Sequence, residues 1–201
     1  MGDQRFQQAI AIFSRMGGVL RMSEAVAEGI SRKTLYAMRD QGVLEVLSRG
    51  LYRLADQPGL ELPDLVTVAL RVPNAVVCLI SALSFHELTT QVPHVVDIAL
   101  PKGRHQPRLD YPPIRVFRFS KDAFSRGVEE AKVDGKKINI YGPEKSIADA
   151  FKFRNKLGTD IAVEALKSYW AKPKADSKKL LEYSRICRVE SVMRPYLEAL
   201  V

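Results

Sequence analysis

The order of local patterns in the first quarter of the chain constrains its fold more than any other feature. Apolar residues recur every three or four positions, which predicts a first helix from about Asp3 to Met16, ended by Gly17-Gly18. A short extended piece and a second short helix follow, up to Gly29. Ser31 can then cap a third helix, which ends at Gly42.

A predicted hairpin completes this region, because two β-rich runs at 43–47 and 51–54 flank a loop that contains Gly50. Helix, short strand, helix, helix and hairpin is the order of a winged helix-turn-helix. The segment 56–59, Asp-Gln-Pro-Gly, is the predicted linker, since proline and glycine together resist both helix and strand. We therefore predict a winged helix-turn-helix DNA-binding domain at residues 1–56.

The patterns after the linker change to strands mixed with helices. Continuous apolar or alternating runs predict strands at 76–80, 95–100 and 114–119, and a hairpin from Val128 to Tyr141 that is broken at Asp134-Gly135. Pro143 suits the first turn of a helix, and further helices follow to the end. We predict an α+β protein in which residues 57–201 form a mixed α/β domain that ends in helices.

Composition narrows the class of protein. With 46% apolar and 27% charged residues the chain is neither disordered nor fibrous. Its longest apolar stretch, 75–80, is far below the ~18 residues of a membrane span, and the charged N-terminus lacks an apolar signal region, so we expect a cytoplasmic protein without membrane contact. Cys78 and Cys187 lie among aliphatic residues, which favours reduced, buried thiols.

Charge points to a polyanionic partner. The net charge is +8, and the excess lies at both ends: residues 1–54 carry eight basic and five acidic residues, and residues 146–201 carry eleven and seven. The middle of the chain is almost neutral, with twelve basic and eleven acidic residues. A basic N-terminal domain of this kind is suited to bind nucleic acid.

The third predicted helix has the pattern of a recognition helix. Leu35 and Met38 lie together on its inward face, while basic and aromatic residues lie on the other sides. Such a helix packs its apolar back on the preceding helix and reaches the major groove with its N-terminal residues. The predicted DNA-binding residues are Ser31, Arg32, Lys33, Tyr36, Arg39 and, at the hairpin tip, Arg49. Asp40 also faces outward and would repel phosphate unless the C-terminal half of the helix leaves the groove. A winged helix that binds a protein remains the alternative for this charged face.

Catalytic patterns are sparse. Asp97, followed by Glu130 and Lys132, is similar to the acidic and Glu-x-Lys elements that hold magnesium in many nucleases, which leaves a metal-dependent nuclease guided by the winged helix as the alternative function. Glu130 and Lys132, however, belong to a polar run. The histidines show no metal-ligand spacing: His86, His94 and His105. We predict no catalytic residue, no metal and no cofactor.

Several motifs carry a resemblance to a known family. In the first half they are Gly29-Ile30-Ser31, Gly42-Val43-Leu44 and Arg49-Gly50-Leu51-Tyr52; in the second half they are the segments 81–89, 95–101 and 141–149. With these motifs the chain resembles the AbiEi family of antitoxins from bacterial abortive-infection loci, which belong to type IV toxin-antitoxin systems. The resemblance extends over nearly the whole chain.

The resemblance implies a transcriptional regulator with a role in phage defence. Such a repressor binds double-stranded DNA at repeats in the promoter of its own operon, and homo-oligomers on the DNA remain an open alternative. The resemblance also implies an antitoxin that counteracts a cognate nucleotidyltransferase toxin without stable contact. The C-terminal domain would carry the antitoxin activity.

Lys145 and Asp149 are the antitoxin candidates that the resemblance implies. The segment Glu144-Lys145-Ser146 departs from the family, in which arginine and then threonine are more frequent. Lysine keeps the charge but loses the fork with which arginine grips a carboxylate or phosphate. The alternative is that both residues only begin and cap a helix.

Overall fold

The computed structural model describes residues 2–200, and it divides them into two compact units. The first unit takes in the chain through Val72, together with the segments Arg108–Pro112 and Lys132–Lys137. The second unit consists of Pro73–Pro107, Pro113–Ala131 and the remainder from Ile138. None of the helices in the described residues is long and apolar enough to cross a membrane.

The first unit begins with the predicted winged helix-turn-helix. Its strands form a three-stranded antiparallel sheet in the order β1-β3-β2, and β2 and β3 make the wing. The elements are α1 (Gly2–Arg15), β1 (Val19–Arg21), α2 (Met22–Ala27), α3 (Arg32–Asp40), β2 (Leu44–Ser48), β3 (Leu51–Leu54) and α4 (Pro63–Arg71).

The core of this unit forms because the apolar stripes of its helices meet. Phe13 of α1 and Leu35 and Met38 of α3 are completely buried, as the periodicity of the sequence predicts. Leu20 and Tyr52, from the sheet, complete the cluster. This packing fixes which side of α3 faces solvent.

Two basic side chains bind backbone carbonyls in the first unit. The guanidinium of Arg53 donates from Nε and Nη2 to Glu45 Oε2, at 3.2 and 2.7 Å, and from Nη1 to the carbonyl of Pro58 at 2.8 Å. Lys136 donates from Nζ to the carbonyls of Met16 and Val19, at 2.7 and 2.8 Å. The segment after the wing is therefore tied to β3, and the segment around Lys136 to the end of α1. The domain boundary at 56/57 stays a prediction.

The second unit is built on a five-stranded mixed sheet in the order β6-β5-β4-β8-β7. Strand β4 pairs antiparallel with β5 and parallel with β8, while β5 and β6 are parallel. The elements are β4 (Val76–Val77), α5 (Leu79–Phe85), β5 (Val96–Pro101), β6 (Ile114–Phe119), α6 (Lys121–Ser125), β7 (Val128–Val133), β8 (Lys136–Tyr141), α7 (Pro143–Lys152), α8 (Arg154–Leu157), α9 (Thr159–Trp170), α10 (Ser177–Ile186) and α11 (Glu190–Glu198).

The helices of this unit pack around α7. Ile147 and Phe151 of α7 are completely buried against Leu166 of α9, Leu180 of α10 and Met193 of α11. Together with the sheet, this helical end confirms the predicted α+β class with a mixed α/β region that ends in helices.

The predicted strand at 76–80 is wrong in its second half. Strand β4 contains only Val76 and Val77, and α5 begins at Leu79, with the amide of Ala82 bonded to the carbonyl of Cys78 at 3.2 Å. A short, continuously apolar run does not distinguish a buried strand from a buried helix, so its periodicity is uninformative. Helix α6, which the sequence does not predict, follows β6 directly.

Candidate functional site

The start of α3 is an exposed, positively charged surface. Arg32 and Lys33 are exposed at its first two positions, and Tyr36 follows one turn later with 41% of its surface exposed. Neither Arg32 nor Lys33 forms an ion pair with any described residue. Their charges are therefore available to an external anion.

Ser31 sets the geometry at this end of α3. Its hydroxyl accepts a hydrogen bond from the amide of Thr34 at 3.1 Å, as predicted for a helix cap. The amide of Leu35 bonds to the carbonyl of Ser31 at 3.1 Å. The amides of Arg32 and Lys33 come before these bonds and project from the helix end, where the helix dipole favours a negative group such as phosphate.

The far end of α3 has a different electrostatic character. Arg39 donates from Nε and Nη2 to Oδ1 of Asp40, at 2.8 and 2.6 Å, and its guanidinium carbon lies 5.1 Å from the centre of the Tyr36 ring. The hydrogen bond with Asp40 raises the pKa of Arg39 above its usual value. Sequence rules miss this pair because neighbouring residues of a helix do not face each other as residues three or four apart do.

The wing presents Arg49 at its tip. Residues 49 and 50 form the turn between Ser48 and Leu51, which are paired across the hairpin, and Gly50 has a φ of 73°. Arg49 is exposed. Glycine is suited to this left-handed turn position, and the turn directs Arg49 into solvent.

Lys145 and Asp149 lie in a different environment, inside the second unit. Both side chains are 0% exposed and form an ion pair one turn apart on α7. The ammonium of Lys145 lies 4.2 Å from the centre of the Tyr141 ring and 4.9 Å from that of Phe119. Burial raises the pKa of Asp149, and the charge of Lys145 opposes that effect.

A thiol joins this pair. Cys187 donates from Sγ to Oδ1 of Asp149 at 3.2 Å, and we call Lys145, Asp149 and Cys187 the buried charge cluster. Gly142 is the cap of α7 and Pro143 its first residue, so Lys145 and Asp149 neither begin nor cap the helix. Because neither side chain reaches the surface, neither can touch another macromolecule in this conformation. Their i, i+4 spacing is the signal that could have predicted the ion pair.

The residues of the nuclease alternative are not brought together. Asp97 is on β5 and Glu130 on β7, and two strands separate them, which puts the strands about 14 Å apart. Both oxygens of Asp97 instead accept from Arg115, at 2.7 and 2.9 Å. Burial raises the pKa of Asp97 and Arg115 opposes that effect.

The histidines and cysteines have local roles in the described residues. His86 Nε2 lies 2.8 Å from the carbonyl of Tyr141, and His94 and His105 are exposed. No group of three or more potential ligands is arranged to hold a metal ion within residues 2–200. Cys78 and Cys187 are free and buried, which confirms the prediction of reduced thiols, and burial raises the pKa of each.

Three comparisons with known proteins bear on this site. A family model described as "Transcriptional regulator, AbiEi antitoxin" matches residues 7–55. Among the solved structures that match is the RV2827C protein from Mycobacterium tuberculosis, with a TM-score of 0.53 and 14% sequence identity, over 97% of this chain and 81% of that chain. No curated protein matches the chain. At 14% identity the structural likeness shows the fold alone.

These findings define the class of the first unit. Three helices and a wing form a winged helix-turn-helix, and α3 occupies the position that the recognition helix has in DNA-binding proteins of this fold. The matched segment contains α3 and the whole wing, and over residues 7–55 it confirms the resemblance to the AbiEi transcriptional regulators and antitoxins.

Proposed function

We propose that this protein is a DNA-binding transcriptional autorepressor and antitoxin. It binds repeats in the promoter of its own operon and counteracts a cognate nucleotidyltransferase toxin. The observation that carries the proposal is the exposed, unpaired charge of Arg32 and Lys33 at the start of the recognition helix, inside the segment that matches the AbiEi family. In a winged helix, the helix at the position of α3 lies in the major groove, and its N-terminal residues contact base edges.

The geometry of the first unit supports the repressor role. Arg32 and Lys33 reach base edges or phosphates, and the amides at the start of α3 bind a phosphate of the same strand. Arg49 at the wing tip binds the backbone or the adjacent minor groove. Repeated sites on the DNA place several copies side by side, so homo-oligomers form there.

The antitoxin role is assigned to the second unit, with no catalysis, metal or cofactor of its own. Protection takes place in the cytoplasm without stable contact with the toxin, as part of an abortive-infection defence against phage. The burial of Lys145 and Asp149 means that they support this activity through the fold of α7 rather than through a direct interaction. The separation of Asp97 and Glu130 by two strands argues against the nuclease alternative.

The double variant Arg32→Ala/Lys33→Ala tests the proposal. We expect a loss of binding to the upstream promoter of about 1–3 kcal/mol for a side chain that reads a base and less for one that binds phosphate. Gel shifts measure binding, a promoter reporter measures repression, and growth with a neighbouring nucleotidyltransferase measures protection. The variant should lose repression but still protect.

Arg15→Ala is the matched control, because Arg15 is an exposed arginine of the same unit that is already paired with Glu28. It should leave binding unchanged. Binding that survives in the double variant would show that α3 does not enter the groove. Loss of protection in the same variant, with its fold intact, would show that the two activities are not separable.

A further inference from the structure

The pair of Arg39 and Asp40 at the end of α3 is built differently from the rest of the basic surface. Both residues are exposed, yet one edge of the guanidinium is occupied by Asp40 Oδ1, at 2.8 Å from Nε and 2.6 Å from Nη2. One face of the guanidinium lies over the Tyr36 ring, 5.1 Å from its centre. Two residues of α3, Tyr36 and Asp40, thus restrict the orientation of the Arg39 guanidinium.

The unoccupied edge of Arg39 has a defined recognition chemistry. A guanidinium carries five N–H donors in a plane, and the bonds to Asp40 use one from Nε and one from Nη2. The hydrogens of Nη1 and Nη2 that point away from Asp40 remain as two parallel donors. Guanine offers the matching pair of acceptors, O6 and N7, in the major groove.

Charge favours a base over a phosphate at this position. Arg39 and Asp40 together are neutral, and the carboxylate of Asp40 repels a phosphate placed near it. A guanine edge is uncharged and meets no such repulsion. The second oxygen of Asp40 can also accept from N4 of the cytosine paired with that guanine.

The position of Arg39 on α3 is compatible with base contact. It follows Arg32 by seven residues, which is close to two helical turns, so the two side chains project on the same side of α3 about 10 Å apart. This distance corresponds to about three base pairs of duplex DNA. Arg32 and Arg39 can therefore meet the same groove at two separate base pairs.

We propose that Arg39 reads a guanine of the operator in the major groove and that Asp40 is the positioning residue that holds its guanidinium for this contact. The proposal rests on the proposed function, since it requires that α3 enters DNA. In this proposal Arg39 and Asp40 together discriminate between DNA sequences, although Asp40 on its own would repel phosphate and lower the affinity for DNA.

The experiment measures the affinity of the full chain for DNA from its own upstream promoter, with each base pair substituted in turn. For the wild type, replacing the guanine read by Arg39 should lower affinity about 5- to 150-fold. Arg39→Ala should lose discrimination at that base pair only, because it removes the guanidinium. Arg39→Lys should lose it as well, because lysine keeps the charge but not the two parallel donors. Replacing that guanine by 7-deazaguanine, which lacks the N7 acceptor, should lower the DNA affinity of the wild type and leave that of Arg39→Ala unchanged.

Two variants of Asp40 separate positioning from charge. Asp40→Asn keeps an oxygen acceptor for Arg39 and should retain most of the discrimination, whereas Asp40→Ala removes the acceptor and should lose it. Both variants remove one negative charge and should bind unrelated DNA more tightly to the same extent. Thermal melting should show both to be folded, since Asp40 is exposed.

Each outcome decides the proposal. If Asp40→Ala keeps the discrimination of the wild type, Asp40 only repels DNA and the positioning role is overturned. If Arg39→Ala relaxes no base pair while Arg32→Ala/Lys33→Ala abolishes binding, the proposed function stands and this inference falls. Absence of wild-type binding to any upstream fragment would overturn both.

Discussion

Helices α3 and α7 carry the same kinds of charged residues in opposite surroundings. In α3 the buried residues are Leu35 and Met38, and every Arg, Lys and Asp side chain is exposed. In α7 the burial extends from Glu144 to Phe151, including Lys145 and Asp149 at 0% exposure. One helix has a single apolar stripe, and the other is enclosed almost all round.

The difference determines what each set of charges can do. An exposed charge remains hydrated and can exchange its water for a phosphate or a base edge. A buried charge has lost its hydration and is tolerable only when it is paired and hydrogen-bonded, as Lys145 and Asp149 are. We therefore expect substitutions in α3 to change binding and those in the buried charge cluster to change stability.

The largest effect is expected from breaking the buried ion pair. Asp149→Ala or Lys145→Met leaves an unpaired buried charge and should lower the free energy of unfolding by about 3–5 kcal/mol. Lys33→Ala, at an exposed site of α3, should change it by no more than about 0.5 kcal/mol. Urea unfolding followed by circular dichroism and Trp170 fluorescence measures all three.

The double variant Lys145→Met/Asp149→Leu sharpens this comparison. It removes both charges and fills the site with apolar groups, so it should cost clearly less than the sum of the single changes. A fully additive cost would mean that the two residues do not act as a pair. If Asp149→Ala and Lys145→Met are as stable as the wild type, water reaches the buried charge cluster and the burial described above is wrong.

A smaller effect is expected at the wing, and it concerns binding alone. If Arg49 neutralises one phosphate, the logarithm of affinity should fall with the logarithm of salt concentration less steeply in Arg49→Ala, by about 0.9 per bound protomer. The preference among operator sequences should not change, since a phosphate contact reads no base. Fluorescence anisotropy at several salt concentrations gives the slopes, with Arg15→Ala as control. A slope equal to that of the wild type would exclude the wing from the interface.

Local signals explain why the first unit could be predicted closely. The cap at Ser31, the stripe of Leu35 and Met38 and the turn at Gly50 each depend on a few neighbouring residues. Helix α3 and the wing therefore follow from periodicity and turn chemistry. The bond between Arg39 and Asp40 depends on side-chain orientation, which periodicity does not describe.

The second unit depends on packing that no local pattern reveals. The i, i+4 spacing predicts the ion pair of Lys145 but not its burial, because such pairs are equally common on exposed helix faces. Its surroundings come from Tyr141 and Phe119 on separate strands. Strand β4 likewise ends at Val77, before the predicted 80, because α5 starts at Leu79 inside the same apolar run. The role of Lys145 and Asp149 as antitoxin candidates stays a prediction, and the structure adds that both side chains are buried.

Near neutral pH, the thiol of the buried charge cluster is expected to have the smallest effect, because it stays protonated and unreactive. Burial raises the pKa of Cys187 to about 12 from an ordinary 9.0, and its hydrogen bond to Asp149 favours the protonated thiol. At pH 8 the native protein should therefore react with iodoacetamide at neither Cys187 nor Cys78, whereas both should react in urea.

Between pH 9 and pH 12 the unfolded chain releases the proton of Cys187 and the native chain keeps it, so the free energy of unfolding falls as pH rises through this window, by at most about 1.4 kcal/mol per pH unit. Cys187→Ser keeps the donor to Asp149 without a group that titrates there, so its stability should fall less steeply over the same range. Equal slopes for the two proteins, or rapid alkylation of the native chain, would show that this cluster opens to solvent as readily as the surface of α3.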